Sequence, residues 1–203
     1  MPVHRESKTF FYHIPKCAGS GIEEAFGMRR IENLFLAQYN TVRFNGVGFS
    51  LQHLTPAAIS HLYPEFADFE SFVITRNPYE KCVASYCWLM QDLVNKRFFR
   101  FREKPFLHWV HEYASRFEID HTLPQSNWVD DFANRYDISD YNSAFQALSQ
   151  RIGKPTITKH AHVKTNPLNT KKLTQGLSTE ALAAIHMVYE EDFDKLKYPK
   201  ALS

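Results

Sequence analysis

Short apolar runs and longer amphipathic stretches alternate along the first third of the chain. The apolar runs predict three strands, at residues 9–14, 47–51 and 71–75. The stretches that follow them predict three helices, at residues 20–26, 55–62 and 77–93. Because strands that alternate with helices usually lie parallel in one sheet, this order predicts a parallel α/β core.

Polar residues predict where two of these helices begin. Ser20 and Glu23 have the spacing of a capping box, which predicts that the first helix begins at Ser20. Thr55 before Pro56 is typical of a capping residue followed by proline in the first turn. Both helices are therefore expected directly after a strand and a short connection.

The second half of the chain has a helical pattern. Apolar residues recur at steps of three and four over residues 106–117, 141–152 and 178–196. Residues 156–176 are polar and predict a long surface loop. We expect one domain over residues 1–203, with a short central parallel sheet flanked by helices and a helix-rich C-terminal half.

Composition excludes several classes of protein. With 44% hydrophobic and 23% charged residues, the chain of 203 residues is not a disordered one. Its formal net charge of +2 argues against a nucleic-acid-coating protein. No apolar run is long enough for a membrane span, and the three cysteines form no Cys-x-x-Cys pair. We expect a soluble, cytoplasmic protein with reduced thiols and no membrane or nucleic-acid partner; the sequence does not indicate its oligomeric state.

The first candidate site spans residues 13–21, where a strand, a loop of small residues and a helix start follow one another. Such a loop directs backbone N–H groups and a helix start at one point, which suits an anion, and a lysine adds a full charge. The alternative is an ordinary strand-to-helix turn with a surface lysine. A Walker A loop has its lysine after the small residues, whereas Lys16 precedes them, which disfavours a metal-dependent NTPase. The anion-binding residues predicted here are Lys16, Cys17, Ala18, Gly19, Ser20 and Gly21.

The second candidate site lies at the end of the third predicted strand. Arg76 follows that strand, and Ser85 stands about two turns into the next helix, so the two could bind one phosphate. The alternative is a structural salt bridge and a packed small residue. Together the two segments predict a ligand with two separated anionic groups at the carboxyl edge of the sheet.

These segments resemble the sulfotransferases that use 3′-phosphoadenosine 5′-phosphosulfate (PAPS). The carbohydrate branch, with heparan sulfate 2-O-sulfotransferases, chondroitin sulfotransferases and small bacterial relatives, is the most similar. Its 5′-phosphosulfate loop is similar to residues 13–21, and its 3′-phosphate segment to residues 74–86. Weaker similarities follow in order at residues 123–128, 132–137 and 189–199. The expected fold is accordingly a P-loop-like three-layer α/β fold, in which helices flank a short central parallel sheet.

The resemblance implies a role for each matching residue. Lys16 and the loop to Gly21 would bind the 5′-phosphosulfate, and Arg76 with Ser85 would bind the 3′-phosphate. Gly21 departs from the family where relatives often carry a hydroxyl, and Lys81 replaces a second arginine.

The resemblance also implies the reaction, in which the sulfuryl group passes in line to a hydroxyl acceptor, a carbohydrate or small metabolite, without a metal. His53 after the second strand is the expected base, because the ordinary pKa of a histidine side chain suits that task and the related branch has a histidine there. His13 is expected to hold the shape of the loop. A P-loop-like nucleotide kinase and a non-catalytic module that binds nucleotides or polyanions remain alternatives.

A dense basic and aromatic run covers residues 96–104. Its positive charge and flat rings favour an anionic glycan, which makes Arg100 and Arg102 candidate acceptor-binding residues. A solvated helix extension is the alternative.

Overall fold

A computed structural model describes residues 3–26, 41–66, 68–94, 99–131, 133–153 and 168–200, without the side chains of residues 92 and 94. Two compact units divide the chain, and each is described by itself. The first unit comprises residues 1–76 with 127–165, and the second comprises residues 77–126 with 166–203. The expected α/β class is confirmed, and the single domain stays a prediction.

Strands and helices alternate in the first part of the described chain, and helices alone fill its later part. The strands are β1 (Val3–His4), β2 (Thr9–Tyr12), β3 (Thr41–Phe44), β4 (Val47–Ser50), β5 (Glu70–Thr75) and β6 (Asn134–Asp137). The helices are α1 (Gly19–Ala25), α2 (Pro56–Leu62), α3 (Pro78–Val94), α4 (Glu103–Glu112), α5 (Tyr141–Ile152), α6 (Thr170–Gln175), α7 (Thr179–Val188) and α8 (Glu190–Leu196).

The central sheet of the first unit is mixed, with strand order β1-β2-β5-β6. β2, β5 and β6 are parallel, and β1 is antiparallel to β2 at the edge. Phe11 lies opposite Phe72, and Tyr12 lies opposite Val73. The parallel core is therefore confirmed for three strands, and their carboxyl ends share one edge.

Helices α1 and α5 belong to the hydrophobic core of this sheet. Ile22 of α1, Phe26 directly after that helix and Phe145 of α5 form one buried cluster with Phe11 and Phe72 of the sheet. Phe10 and its neighbour Tyr12 have ring contact with each other, and Phe10 contacts Phe66. Because successive strand residues point to opposite faces, Phe10 and Phe11 serve two different sides of β2.

The strand predicted at residues 47–51 forms, but it is not a member of the central sheet. β4 pairs antiparallel with β3 in a separate two-stranded sheet. Asn45 and Gly46, at φ 48° and 83°, form the two-residue turn between them. Asn-Gly is the preferred sequence for such a hairpin turn, because both positions need positive φ. The implied parallel placement of this strand was wrong.

The second unit is helical in the residues described. Its core contains Tyr86, Phe106, Trp109, Ile185 and Phe193 from four helices. The helix-rich second half is thus confirmed, but the helix predicted over residues 178–196 breaks at Tyr189 into α7 and α8.

Two further predictions concern this half of the chain. Cys82 and Cys87 are buried on α3 beside apolar residues, as expected of small apolar side chains. Of the predicted loop at 156–176, residues 170–175 form α6, and residues 156–167 lie outside the described residues.

Among the described helices, none combines the length and the apolar character that a membrane span requires.

Candidate functional site

The loop between β2 and α1 has an unusual backbone. Lys16 and Ala18 both adopt the left-handed conformation, at φ 67° and 63°. Ala18 is the residue that precedes α1, and no side chain caps the helix there. Alternating backbone conformations of this kind turn successive N–H groups toward a common concavity that attracts anions. The predicted anion loop therefore has a suitable backbone, with the Lys16 ammonium on the same segment.

The predicted capping box at this helix was wrong. α1 begins at Gly19, so Ser20 lies inside the helix and does not cap it. Glu23, the other half of the expected box, is buried and bonds to His13 and Gln52 instead. The prediction for α2 is confirmed, because Thr55 Oγ1 accepts a hydrogen bond from the Ala58 amide at 3.3 Å.

His13 underlies the loop at the point where α1 begins. A Cβ added to Gly19 would lie 2.3 Å from Cδ2 and 2.6 Å from Nε2 of the His13 ring. Such distances are far below ordinary contact, so only glycine fits between the helix start and the ring. His13 therefore supports the shape of the loop, as expected.

A buried carboxylate and a buried amide surround the other side of the His13 ring. Glu23 Oε1 lies 2.5 Å from His13 Nδ1. The Gln52 amide nitrogen donates to both carboxylate oxygens of Glu23, at 2.8 Å and 2.6 Å. All three side chains are buried. Polar groups that are buried away from water need hydrogen bonds to one another, because burial without them is costly.

The charges of this group follow from its surroundings. Burial raises the pKa of the Glu23 carboxyl, but the His13 ring and the Gln52 amide outweigh burial and lower it from 4.5 to about 2. Burial lowers the pKa of His13 below 6.5, against the opposing effect of Glu23. At neutral pH we therefore assign an ionised Glu23 and a neutral His13.

His53 lies beside His13, in the short 3-10 helix Leu51–His53 that follows the hairpin. The two imidazole rings are 4.9 Å apart between centroids, edge to face. The Trp128 indole N–H donates to the carbonyl oxygen of His53 at 3.0 Å and fixes its backbone. The hairpin, rather than a strand of the central sheet, thus brings His53 next to the residue that supports the loop.

Arg76 lies directly after β5 and reaches the loop that follows β2. Its Nη1 donates to the carbonyl oxygen of Lys16 at 3.3 Å. Because β2 and β5 are neighbouring parallel strands, the predicted anion loop and Arg76 lie at the same edge of the sheet.

The other predicted site residues belong to the second unit. Ser85 is fully buried on α3, and its hydroxyl has no hydrogen-bond partner among the described residues. Its association with Arg76 stays a prediction. Arg100 and Arg102 are exposed, and Arg100 Nη1 donates to the Phe99 carbonyl at 3.1 Å. Of the basic run at 96–104, residues 96–98 lie outside the described residues.

Lys81 does not have the position of a ligand-binding residue. Its ammonium is buried inside the second unit and donates to the carbonyl oxygens of Leu123, at 2.6 Å, and His121, at 3.4 Å. A side chain held in this way secures the local fold. Lys81 therefore has a structural role in the second unit.

Sequence reasoning missed three residues of the first unit that shape the site, Glu23, Gln52 and Trp128. One signal was available for Glu23. It lies between Ile22 and Phe26 on the apolar face of α1, where a charged residue demands a buried partner. Gln52 and Trp128 carried no comparable signal.

Comparisons with family models, with curated proteins and with solved structures find no match to this chain. The function is therefore argued from the site itself.

Proposed function

We propose that this protein is a PAPS-dependent sulfotransferase that acts on a hydroxyl acceptor. The observation that carries the proposal is the meeting of three features in the first unit. The loop after β2 carries a lysine and leads into a helix start that no side chain caps. The Arg76 guanidinium donates a hydrogen bond to that loop, and the His53 ring lies next to the ring of His13. An anion site next to a group that can accept a proton is what sulfuryl transfer to a hydroxyl requires.

The residues present suit the two charged ends of the donor. The backbone amides of the loop and the Lys16 ammonium would bind the 5′-phosphosulfate, and Arg76 with Ser85 would bind the 3′-phosphate. Gly21, where relatives often have a hydroxyl, leaves that contact to backbone. The proposal includes the finer fold expectation, a P-loop-like three-layer fold, of which the loop between β2 and α1 would be the phosphate-binding element.

The donor supplies an activated sulfuryl group. In the proposed reaction His53 accepts the proton of the acceptor hydroxyl, so that the oxygen can form its bond to sulfur as the bond to the phosphate oxygen breaks. Lys16 stabilises the negative charge that develops on that leaving oxygen, in a role that a metal ion often has in phosphoryl transfer.

The deciding experiment is transfer of radiolabelled sulfate from PAPS to a panel of hydroxyl compounds, including oligosaccharides. We expect the purified protein to label at least one acceptor. We expect His53→Ala to abolish turnover while PAPS still binds, because the base does not bind the donor. His61→Ala changes an exposed histidine on α2 and serves as the matched control. Turnover near the wild-type rate in His53→Ala would reject the assigned base.

Thermal unfolding with nucleotides separates the competing functions. We expect adenosine 3′,5′-bisphosphate to raise the melting temperature more than ATP does, because a ligand of the native state stabilises it. A larger shift with ATP that depends on magnesium would favour a nucleotide kinase. Equal shifts with any polyanion, together with no sulfate transfer, would favour a non-catalytic binding module.

A further inference from the structure

We propose that Glu23 is a positioning residue of this site. It holds His13 as the tautomer with the proton on Nδ1, and His13 in that state supports both the anion loop and the ring of His53. The effect on sulfuryl transfer rests on the proposed function, whereas the effect on His13 does not.

The location of Glu23 is the first part of the argument. Its neighbours on the buried face of α1 are Ile22 and Phe26, and its own side chain is 0% exposed. An ionised carboxylate in such a place is costly unless it is hydrogen-bonded on both oxygens. A residue that only filled space there would be apolar. The carboxylate is therefore placed for its partners.

Proton counting is the second part. Two carboxylate oxygens lie within 2.8 Å of the Gln52 side-chain nitrogen, so the Gln52 amide must present its NH₂ group, since its oxygen would meet two other oxygens. Oε1 of Glu23 also lies 2.5 Å from His13 Nδ1, and an ionised carboxylate only accepts hydrogen bonds. Nδ1 must therefore carry the proton. The 3.0 Å approach of Gln52 to Nδ1 is then a contact without a hydrogen bond.

The contacts of the His13 ring are the third part. One side of the ring abuts Gly19, at the start of α1, and the ring of His53 lies 4.9 Å away. Any change in the orientation or proton position of His13 therefore acts on the anion loop and on the proposed base together. The side-chain hydrogen bonds of Glu23 described above go to His13 and Gln52, so its effect on the proposed base passes through His13.

Substitution of Glu23 by glutamine tests this specifically. The glutamine side chain has nearly the same shape as glutamate, but it carries an NH₂ group in place of one carboxylate oxygen. If the new amide oxygen takes the place of Oε2, which has the shorter hydrogen bond from Gln52 at 2.6 Å, the NH₂ group takes the place of Oε1 and faces His13 Nδ1. Nδ1 must then accept, and the proton moves to Nε2. Glu23→Gln is thus expected to switch the tautomer of His13.

Nitrogen-15 NMR of the imidazole rings measures this directly, with His13 assigned through bonds to its own Cβ. We expect a protonated Nδ1 and a bare Nε2 in the wild type at neutral pH, and the reverse in Glu23→Gln. Glu24→Gln, an exposed neighbour on the same helix, should leave His13 unchanged. A wild-type His13 protonated on Nε2, or on both nitrogens, overturns the proposal even if the variant does not fold. So does a variant that keeps the Nδ1 proton.

Kinetics then test the consequence for the reaction. We expect kcat of Glu23→Gln to fall at least about tenfold, as is typical when a hydrogen-bond partner that orients a histidine is lost, and the KM for PAPS to rise, because the same change at His13 reaches the anion loop. A switched tautomer with wild-type kcat would overturn the positioning role. A wild-type protein that transfers no sulfate would overturn the proposed function. The NMR result would still decide whether Glu23 sets the tautomer of His13.

Discussion

A missing side chain and a buried charge shape the anion loop at the scale of single residues. Gly19 lets the start of α1 approach the His13 ring, and Glu23 fixes that ring from the other side. The two residues are four positions apart, about one helical turn, so they lie on the same face of α1 and contact opposite sides of the His13 ring. The shape of the loop thus depends on the missing side chain of Gly19 and on the buried carboxylate of Glu23.

Gly19→Ala should destabilise the protein. Alanine would favour the helix by about 1 kcal/mol, but an overpacked contact costs about 1–3 kcal/mol. Since the added Cβ would lie 2.3 Å from a ring that Glu23 holds in place, we expect the contact to outweigh the helix preference. The measurement is the midpoint of thermal unfolding.

Gly176→Ala is the matched control, because its nearest atom would lie 3.6 Å away, an ordinary contact. We expect a change within about 0.5 kcal/mol there. Equal effects of the two substitutions would mean that the His13 ring moves aside freely.

The stability that Glu23 confers should depend on pH. Its pKa is about 2 in the folded protein against 4.5 as the ordinary value, so its contribution is complete above pH 4.5 and is lost as the pH falls toward 2. The full contribution is about 3 kcal/mol, of which roughly 2 kcal/mol is lost by about pH 3.

Urea unfolding of the wild type and Glu23→Gln, at about pH 6 and about pH 3, measures this loss. We expect the difference in free energy of unfolding between the two proteins to shrink at the lower pH. A difference that stays constant would show that the carboxyl group titrates alike in the folded and unfolded states.

Two helices of the second unit hold an irregular segment between them, which is the main feature at the scale of elements. Lys81 of α3 donates to two carbonyl oxygens of the segment 121–126. Asp192 of α8 accepts hydrogen bonds from the amides of Gln125, at 2.9 Å, and Ser126, at 2.8 Å. Burial raises the pKa of Asp192, and the positive charge of Lys81 opposes that rise. Opposite charges on two helices thus fix the backbone of one segment.

Lys81→Met should cost about 3–5 kcal/mol of stability, because it leaves the buried Asp192 without an opposing charge and two carbonyls without a donor. Chemical denaturation measures the loss.

Lys195→Met is the control for this substitution, since Lys195 is exposed and forms an i, i+4 pair with Glu191. Such a surface pair contributes about 0.5 kcal/mol or less. If both variants lost equally little, the buried ammonium would not be holding the segment.

At the scale of the whole molecule, the candidate residues are distributed over both units. The sheet unit holds the loop, His53 and Arg76, and the helical unit holds Ser85 with the exposed Arg100 and Arg102. The proposed donor contacts at the loop thus belong to the unit built around the parallel strands. The predicted acceptor contacts belong to the helical unit.

Reversal of charge at Arg100 and Arg102 tests that division of roles. We expect the double variant Arg100→Glu and Arg102→Glu to raise the KM for an anionic acceptor and to leave the KM for PAPS unchanged, because the lost charges would attract only the acceptor. Steady-state kinetics with each substrate varied in turn measure both values.

The double variant Arg116→Glu and Lys195→Glu makes the same change in net charge at exposed positions of the same unit. An equal rise in acceptor KM in this control would indicate that overall charge, rather than a site at the two arginines, attracts the acceptor.

Local sequence determined much of the fold and part of the site. The apolar runs at β2 and β5 were sufficient to predict parallel strands, with Lys16 and Arg76 after their carboxyl ends. These features can be predicted from the sequence because hydrophobic periodicity and short connections depend only on consecutive residues. The positions of α2, α3 and α5 followed for the same reason. That β2 and β5 are neighbours is seen only in the structure.

Only the tertiary structure decided what the polar residues do. Glu23 has the spacing of a capping residue, yet its partner Gln52 lies 29 positions away, and Lys81 donates to a carbonyl 42 positions away. The strand before His53 reads like any other strand, yet it pairs in a separate hairpin. A buried charge takes whichever donors or acceptors the fold brings to it, because burial without them is too costly, and those partners are set by packing rather than by neighbours along the chain.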